Sequence, residues 1–148
     1  MIRRMNIDDA QSVSNIAVSS FMEAVSGQLS EEGISTFLGI SSVDSFIERI
    51  AKDNVMLVSE DLDGVNGIIE LKGGRHIAML FIKPDKQRKG IGRALVEEAL
   101  MHSRVKTVTV SASLISVEAY KKYGFDIVGE EKEEKGLRYQ PMEIELGV

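Results

Sequence analysis

The chain of 148 residues has no cysteine, which excludes disulfides, thiolate metal sites and thiol catalysis. It has two histidines, His76 and His102, too few for a histidine metal cluster, so no metal is expected. No apolar run approaches the roughly 20 residues of a membrane span, which removes a membrane partner. The opening MIRRMNIDDA reaches acidic residues before any apolar stretch that could act as a secretory signal. The expectation is a soluble cytoplasmic protein. Low-complexity segments, internal repeats and linkers are absent as well, so residues 1–148 read as one domain.

What is present is an ordinary globular composition, 43% hydrophobic and 28% charged. Its net charge of −5 is unevenly spread. Lys83, Lys86, Arg88, Lys89 and Arg93 stand against Asp85 alone, so this short stretch is basic and the remainder strongly acidic. Such a chain is a poor general nucleic-acid binder but suits one small polyanion. The competing explanation is a solvated basic loop.

The chain is organised around Ile77–Leu100. Ile77 to Ile82 is an apolar run fit for a strand buried on both faces, and Pro84 ends it. Gln87, Arg88, Lys89, Gly90, Ile91 and Gly92 form a basic, glycine-punctuated turn. Ala94, Leu95, Ala99 and Leu100 then recur at helical spacing, with Glu97 and Glu98 between them. The first turn of a helix carries amides without internal partners, and its dipole favours an anion. Glycines there remove the Cβ atoms that would hold an anion off, although they can equally serve strand–helix packing. The pattern is neither G-x-x-x-x-G-K-[ST], since Arg93 and Ala94 follow Gly92, nor G-x-G-x-x-G, since Leu95 takes the third glycine's place.

Around this centre, Met1–Met5 predicts a short strand and Asp8 or Asp9 a cap for a helix with Val13, Ile16, Ala17 and Phe21 on one face. Gly27 is expected to end it, with further helices capped at Ser30 and Ser41–Ser42. Val55–Val58 and Gly67–Leu71 predict two strands joined through Asp63-Gly64, forming an antiparallel meander with the central strand. Lys106–Val110 predicts a strand returning parallel to the central one through the helical crossover. A helix over Ile115–Tyr123, ended by Gly124, precedes a closing hairpin of 126–134 and 137–146. The fold class is α/β.

Gln87-x-x-Gly90-x-Gly92 resembles the Q/R-x-x-G-x-G/A motif of the GNAT N-acetyltransferase superfamily. Ser113 to Phe125, SLISVEAYKKYGF, is similar to that family's N-x-x-A-x-x-F-Y-x-x-x-G-F segment. The resemblance runs from about Ile77 to Phe125 and looks closest to small YafP-like acetyltransferases. It implies a single-domain mixed, mostly antiparallel sheet of about seven strands flanked by helices, with a splayed parallel pair at the cofactor cleft. It also implies acetyl-coenzyme A as co-substrate, and direct transfer to a primary amine of a small molecule or protein. Backbone amides from Arg88 to Arg93 would take the pyrophosphate, and those of Phe81 and Ile82 the pantetheine arm. Tyr120 occupies the place of the general acid that protonates the departing thiolate; spacing alone would make it a packing aromatic.

Departures from the pattern are informative. Ser113 replaces the usual Asn on the pantetheine, and Ala119 the aromatic before Tyr120. His76 falls where some members carry a glutamate base, with Glu70, Glu23 or a water chain as rivals. The alternative function is a non-catalytic acyl-coenzyme A sensor of the same fold. A phosphotransferase is opposed by the lack of a metal-binding carboxylate motif in the chain, and a helical DNA-binding module by the acidic balance of the first 50 residues. A homodimer is the default assembly.

Overall fold

The computed structural model describes residues 1–25 and 29–147; Gly27 lies outside them. Strand β1 (Ile2–Arg4) is followed by helices α1 (Ala10–Val25), α2 (Glu31–Ile40) and α3 (Val43–Ile50). Strands β2 (Asn54–Asp61), β3 (Gly64–Lys72) and β4 (His76–Ile82) lead to α4 (Ile91–Leu100). Then come β5 (Thr107–Ser113), α5 (Val117–Lys122), β6 (Asp126–Ile127), β7 (Lys132–Glu134) and β8 (Leu137–Glu145).

The helix starts follow from short polar side chains. Ser30 and Ser42 each accept a hydrogen bond from the amide three residues on, at 3.1 Å. The first helical segment is capped differently from expectation. Asn6 is the cap of a preceding single turn, and Asp9 reaches back to its amide at 2.8 Å. Arg3 also holds the Asp9 carboxylate, through two bonds of 2.8 and 2.9 Å.

One mixed sheet runs β1-β2-β3-β4-β5-β8-β6, with β7 also on β8. Its only parallel neighbours among the described residues are β4 and β5. The sheet has eight strands because the closing run breaks into β6 and β7. Gly129 turns the chain between them at φ +74°, and its carbonyl accepts from Gln140 Nε2 at 3.2 Å.

Strand alternation feeds two cores. On one face Leu57, Ile69 and Ile77 pack with Leu95, Val96 and Ala99 of α4 and with Tyr120 and Phe125. On the other, Met56, Val58, Ile68 and Met79 meet Val13, Ala17, Phe37 and Phe46 of the first three helices. Both clusters fix β4 between them, and with it the chain entering the glycine turn.

Candidate active site

β4 and β5 pair only at His76–Thr109 and Ile77–Val110. Immediately afterwards the β3–β4 register slips: Leu71 faces Ile77 and Glu70 faces Met79, leaving Ala78 as an extra residue. This bulge bends β4 away from β5 and opens the parallel pair.

The register also decides which backbone groups face the gap. The Lys83 amide donates to the Asn66 carbonyl at 2.8 Å. Alternation from that bond gives the Phe81 amide to β3 and turns those of Leu80 and Ile82 towards β5. The Ile82 carbonyl is already engaged by the Ser20 hydroxyl at 2.9 Å and by Gln87 Nε2 at 3.2 Å. Leu80 is therefore a gap-facing residue that sequence reading missed; the signal was the slip of register at Ala78, a product of pairing and not of composition.

At the gap's end lies the glycine turn. Arg88 and Gly90 both adopt left-handed backbone, φ 64° and 84°, before the helix begins. The first helical bond joins the Ala94 amide to the Gly90 carbonyl at 3.1 Å, so the amides of Ile91, Gly92 and Arg93 have no partner within the helix. A Cβ at Gly90 would meet no atom within 4 Å, whereas one at Gly92 would sit 2.5 Å from the Tyr123 hydroxyl. The two glycines thus do different work: Gly90 shapes an open turn and Gly92 admits α5. A hollow of about 500 Å³ lies between the start of α4 and the β1–β2 edge, lined by Lys89, Gly90, Ile91, Ala94 and Glu98 with Met1, Ile2 and Ser59, on the side away from β5.

The basic residues also divide. Lys86 is bound by Asp63 at 2.9 Å and Asp61 at 3.2 Å. Arg93 donates to the Lys122 carbonyl at 2.8 Å and lies over the Tyr123 ring. Lys83, Arg88 and Lys89 have no ion-pair partner among the described residues.

Tyr120 is 5% exposed, packed edge-on between Tyr123 and Phe125 with ring centroids 5.8 and 5.3 Å away. Burial, then the neighbouring Tyr123, pushes its phenol above the ordinary range, so it stays protonated at neutral pH. Ser113 Oγ is 2.6 Å from Ser116 Oγ at the start of the α5 segment.

His76 is half-buried on the face opposite Ile77, with Nδ1 2.7 Å from Thr109 Oγ1. Burial, and then Lys72, lower its pKa, so the imidazole is neutral at pH 7. It lines a cavity of about 250 Å³ with Thr109, Ser111, Lys132, Tyr139 and Glu143. Of its rivals, Glu23 is exposed on α1. Glu70 is 2% exposed and clasped by Arg49 Nε at 3.0 and 3.1 Å, which removes it from the cavity. No group of three potential metal ligands occurs among the described residues. No helix among them is long and apolar enough to cross a membrane.

A strand pair that opens at a bulge and leads to a basic helix start suits a long, phosphate-ended acyl carrier. Residues 25–146 match the family model described as Acetyltransferase (GNAT) domain, so the chain belongs to this family and is an acetyl-coenzyme A-dependent N-acetyltransferase. The chain is 26% identical over 148 residues to a protein described as uncharacterized N-acetyltransferase YafP of Escherichia coli, covering 95% of each. It is 42% identical over 60 residues to the peptidyl-lysine N-acetyltransferase YjaB of E. coli, a match spanning 40% of this chain and 41% of that one. The fold is also that of the PaiA N-acetyltransferase from Thermoplasma acidophilum in complex with coenzyme A (TM-score 0.82, 22% identity, 98% of each chain).

Proposed function

We propose that this protein transfers an acetyl group directly from acetyl-coenzyme A to a primary amine of a small molecule or protein. The observation that carries the reading is the opening of β4 from β5 at Ala78, with unengaged backbone groups of Leu80 and the Ile82 amide facing the gap. A pantetheine arm presents amides that can pair there as a strand would. The amides of Ile91, Gly92 and Arg93, with Arg88 and Lys89 just before them in the chain and Lys83 at the end of β4, suit the pyrophosphate. In this scheme Phe81 supports the gap through its ladder with β3, and Gln87 by tying the turn to the end of β4.

When bound, acetyl-coenzyme A supplies an activated acyl group on a thiol leaving group. His76 takes the proton from the acceptor's ammonium, for which a neutral imidazole at a cavity wall is suited. Tyr120 donates a proton to the departing sulfur. The gap-facing amide of Ile82 or Leu80 polarises the carbonyl oxygen. Ser113 acts through Ser116 by setting the entry to α5. YjaB is a peptidyl-lysine N-acetyltransferase, and with the net charge of −5 this favours a cationic amine here.

The test is thiol release from acetyl-coenzyme A against a panel of amines and lysine peptides, with Tyr120→Phe as the paired control. Release with one amine class, falling about a hundredfold in the variant while coenzyme A still binds, is the expected result. An unchanged rate in Tyr120→Phe would remove the acid role. Binding without turnover on any acceptor would favour the sensor.

A further inference from the structure

His76 does not stand alone on its face of the sheet. Strand register places Lys72 of β3, His76 of β4, Thr109 of β5 and Glu143 of β8 in one lateral row, their side chains on the same face. His76 Nδ1 is within hydrogen-bond distance of Thr109 Oγ1, and His76, Thr109 and Glu143 line the same cavity. Resting on the reading of His76 as base, we propose that Thr109 is its positioning residue: its hydroxyl oxygen accepts a hydrogen bond from Nδ1–H and so leaves Nε2 bare towards the cavity.

The direction of that hydrogen bond follows from the charges at the ends of the row. A neutral imidazole has one N–H and one bare nitrogen, and a hydroxyl can either give or accept. The Lys72 ammonium stands on one side and the Glu143 carboxylate on the other. Their combined field favours hydrogens that point away from Lys72 and towards Glu143. The Thr109 O–H then turns to Glu143, and its oxygen accepts from Nδ1–H. The opposite arrangement would aim the positive end of the hydroxyl dipole back at Lys72. Lys132 reaches the cavity from β7 and opposes this polarity with one charge, while Asp126, facing Glu143 from β6, reinforces it, so the far end of the row stays negative on balance. With Nε2 bare, that nitrogen takes the ammonium proton directly; the Nε2–H tautomer could not accept it there.

The chain has two histidines, so nitrogen-15 NMR of the imidazoles is readily assigned with His102→Gln. We expect a protonated Nδ1 and a bare Nε2 for His76 in the wild type. Thr109→Val keeps the β-branched shape but should release this preference and lower kcat about tenfold, with KM for acetyl-coenzyme A unchanged. Thr109→Ser should restore both. A wild-type Nε2–H tautomer, or a Thr109→Val enzyme with unaltered tautomer and rate, would overturn the proposal. His76→Gln separates the two claims. Full activity in that variant removes the base itself, whereas its collapse beside an unaffected Thr109→Val enzyme removes only the role of Thr109.

Discussion

At the scale of single residues, the site depends on ordinary side chains held in unusual settings. His76 is the clearest case, because burial and the Lys72 ammonium both disfavour its charged form. Its folded pKa lies below the unfolded value of about 6.5, so its contribution to stability is present above that value and is lost as pH falls through the depressed one. The acid limb of kcat/KM should accordingly lie below pH ~6.5. Lys72→Gln removes the second cause and leaves burial in place, so the limb should move upward and activity near pH ~6 should drop. A pH–rate profile of the two proteins checks this; an unmoved limb would mean that another group titrates. Tyr120 shows the converse, since a buried phenol is a reliable proton holder because its anion is disfavoured.

At the scale of elements, the central unit was legible and its surroundings were not. The run Ile77–Ile82, Pro84, the paired glycines and the periodic Ala94–Leu100 each signal a boundary locally, and β4, the turn and α4 follow them. Lys106–Val110 was equally clear, but the strand starts at Thr107 and continues through Ser111, Ala112 and Ser113, residues of weak β preference that pairing with β8 overrides. The bulge at Ala78, the engagement of Lys86 and Arg93 and the sequestering of Glu70 arise from tertiary register, which no local pattern encodes. The Arg49–Glu70 pair makes a test at this scale, since it joins α3 to β3 beneath the second core. Arg49 also donates to the Ile40 carbonyl at 2.8 Å and lies over the Phe46 ring, so it ties three elements together. Arg49→Ala leaves a buried carboxylate without its partner and should cost about 3–5 kcal/mol. Burial raises the Glu70 pKa despite the Arg49 charge, so Glu70→Gln should cost less, by removing a group whose ionised form is already penalised. Urea unfolding of the three proteins orders them; equal losses would show that the pair acts only through packing.

At the scale of the whole molecule, the opposing charges of the turn and the body decide how a polyanion is held. The chain carries −5 overall, yet Lys83, Arg88 and Lys89 stand at the glycine turn without ion-pair partners among the described residues. Surface charges act over about one Debye length, roughly 10 Å at 0.1 M salt, so the local basic turn governs a bound phosphate while the acidic remainder is screened from it. Adding salt should therefore weaken coenzyme A binding, because attraction to the turn is lost faster than distant repulsion is relieved. Arg88→Glu with Lys89→Glu reverses two of the three available charges and should lower affinity by about tenfold or more at low salt, with a flatter salt dependence. Lys86→Gln is the contrast: its ammonium is already committed to Asp61 and Asp63, so its loss should alter affinity far less. Calorimetric titration with coenzyme A at several ionic strengths distinguishes the two groups. A Lys86 effect equal to that of Arg88 and Lys89 would mean that the phosphates engage a rearranged turn, with the ties of Lys86 to the β2–β3 hairpin broken on binding.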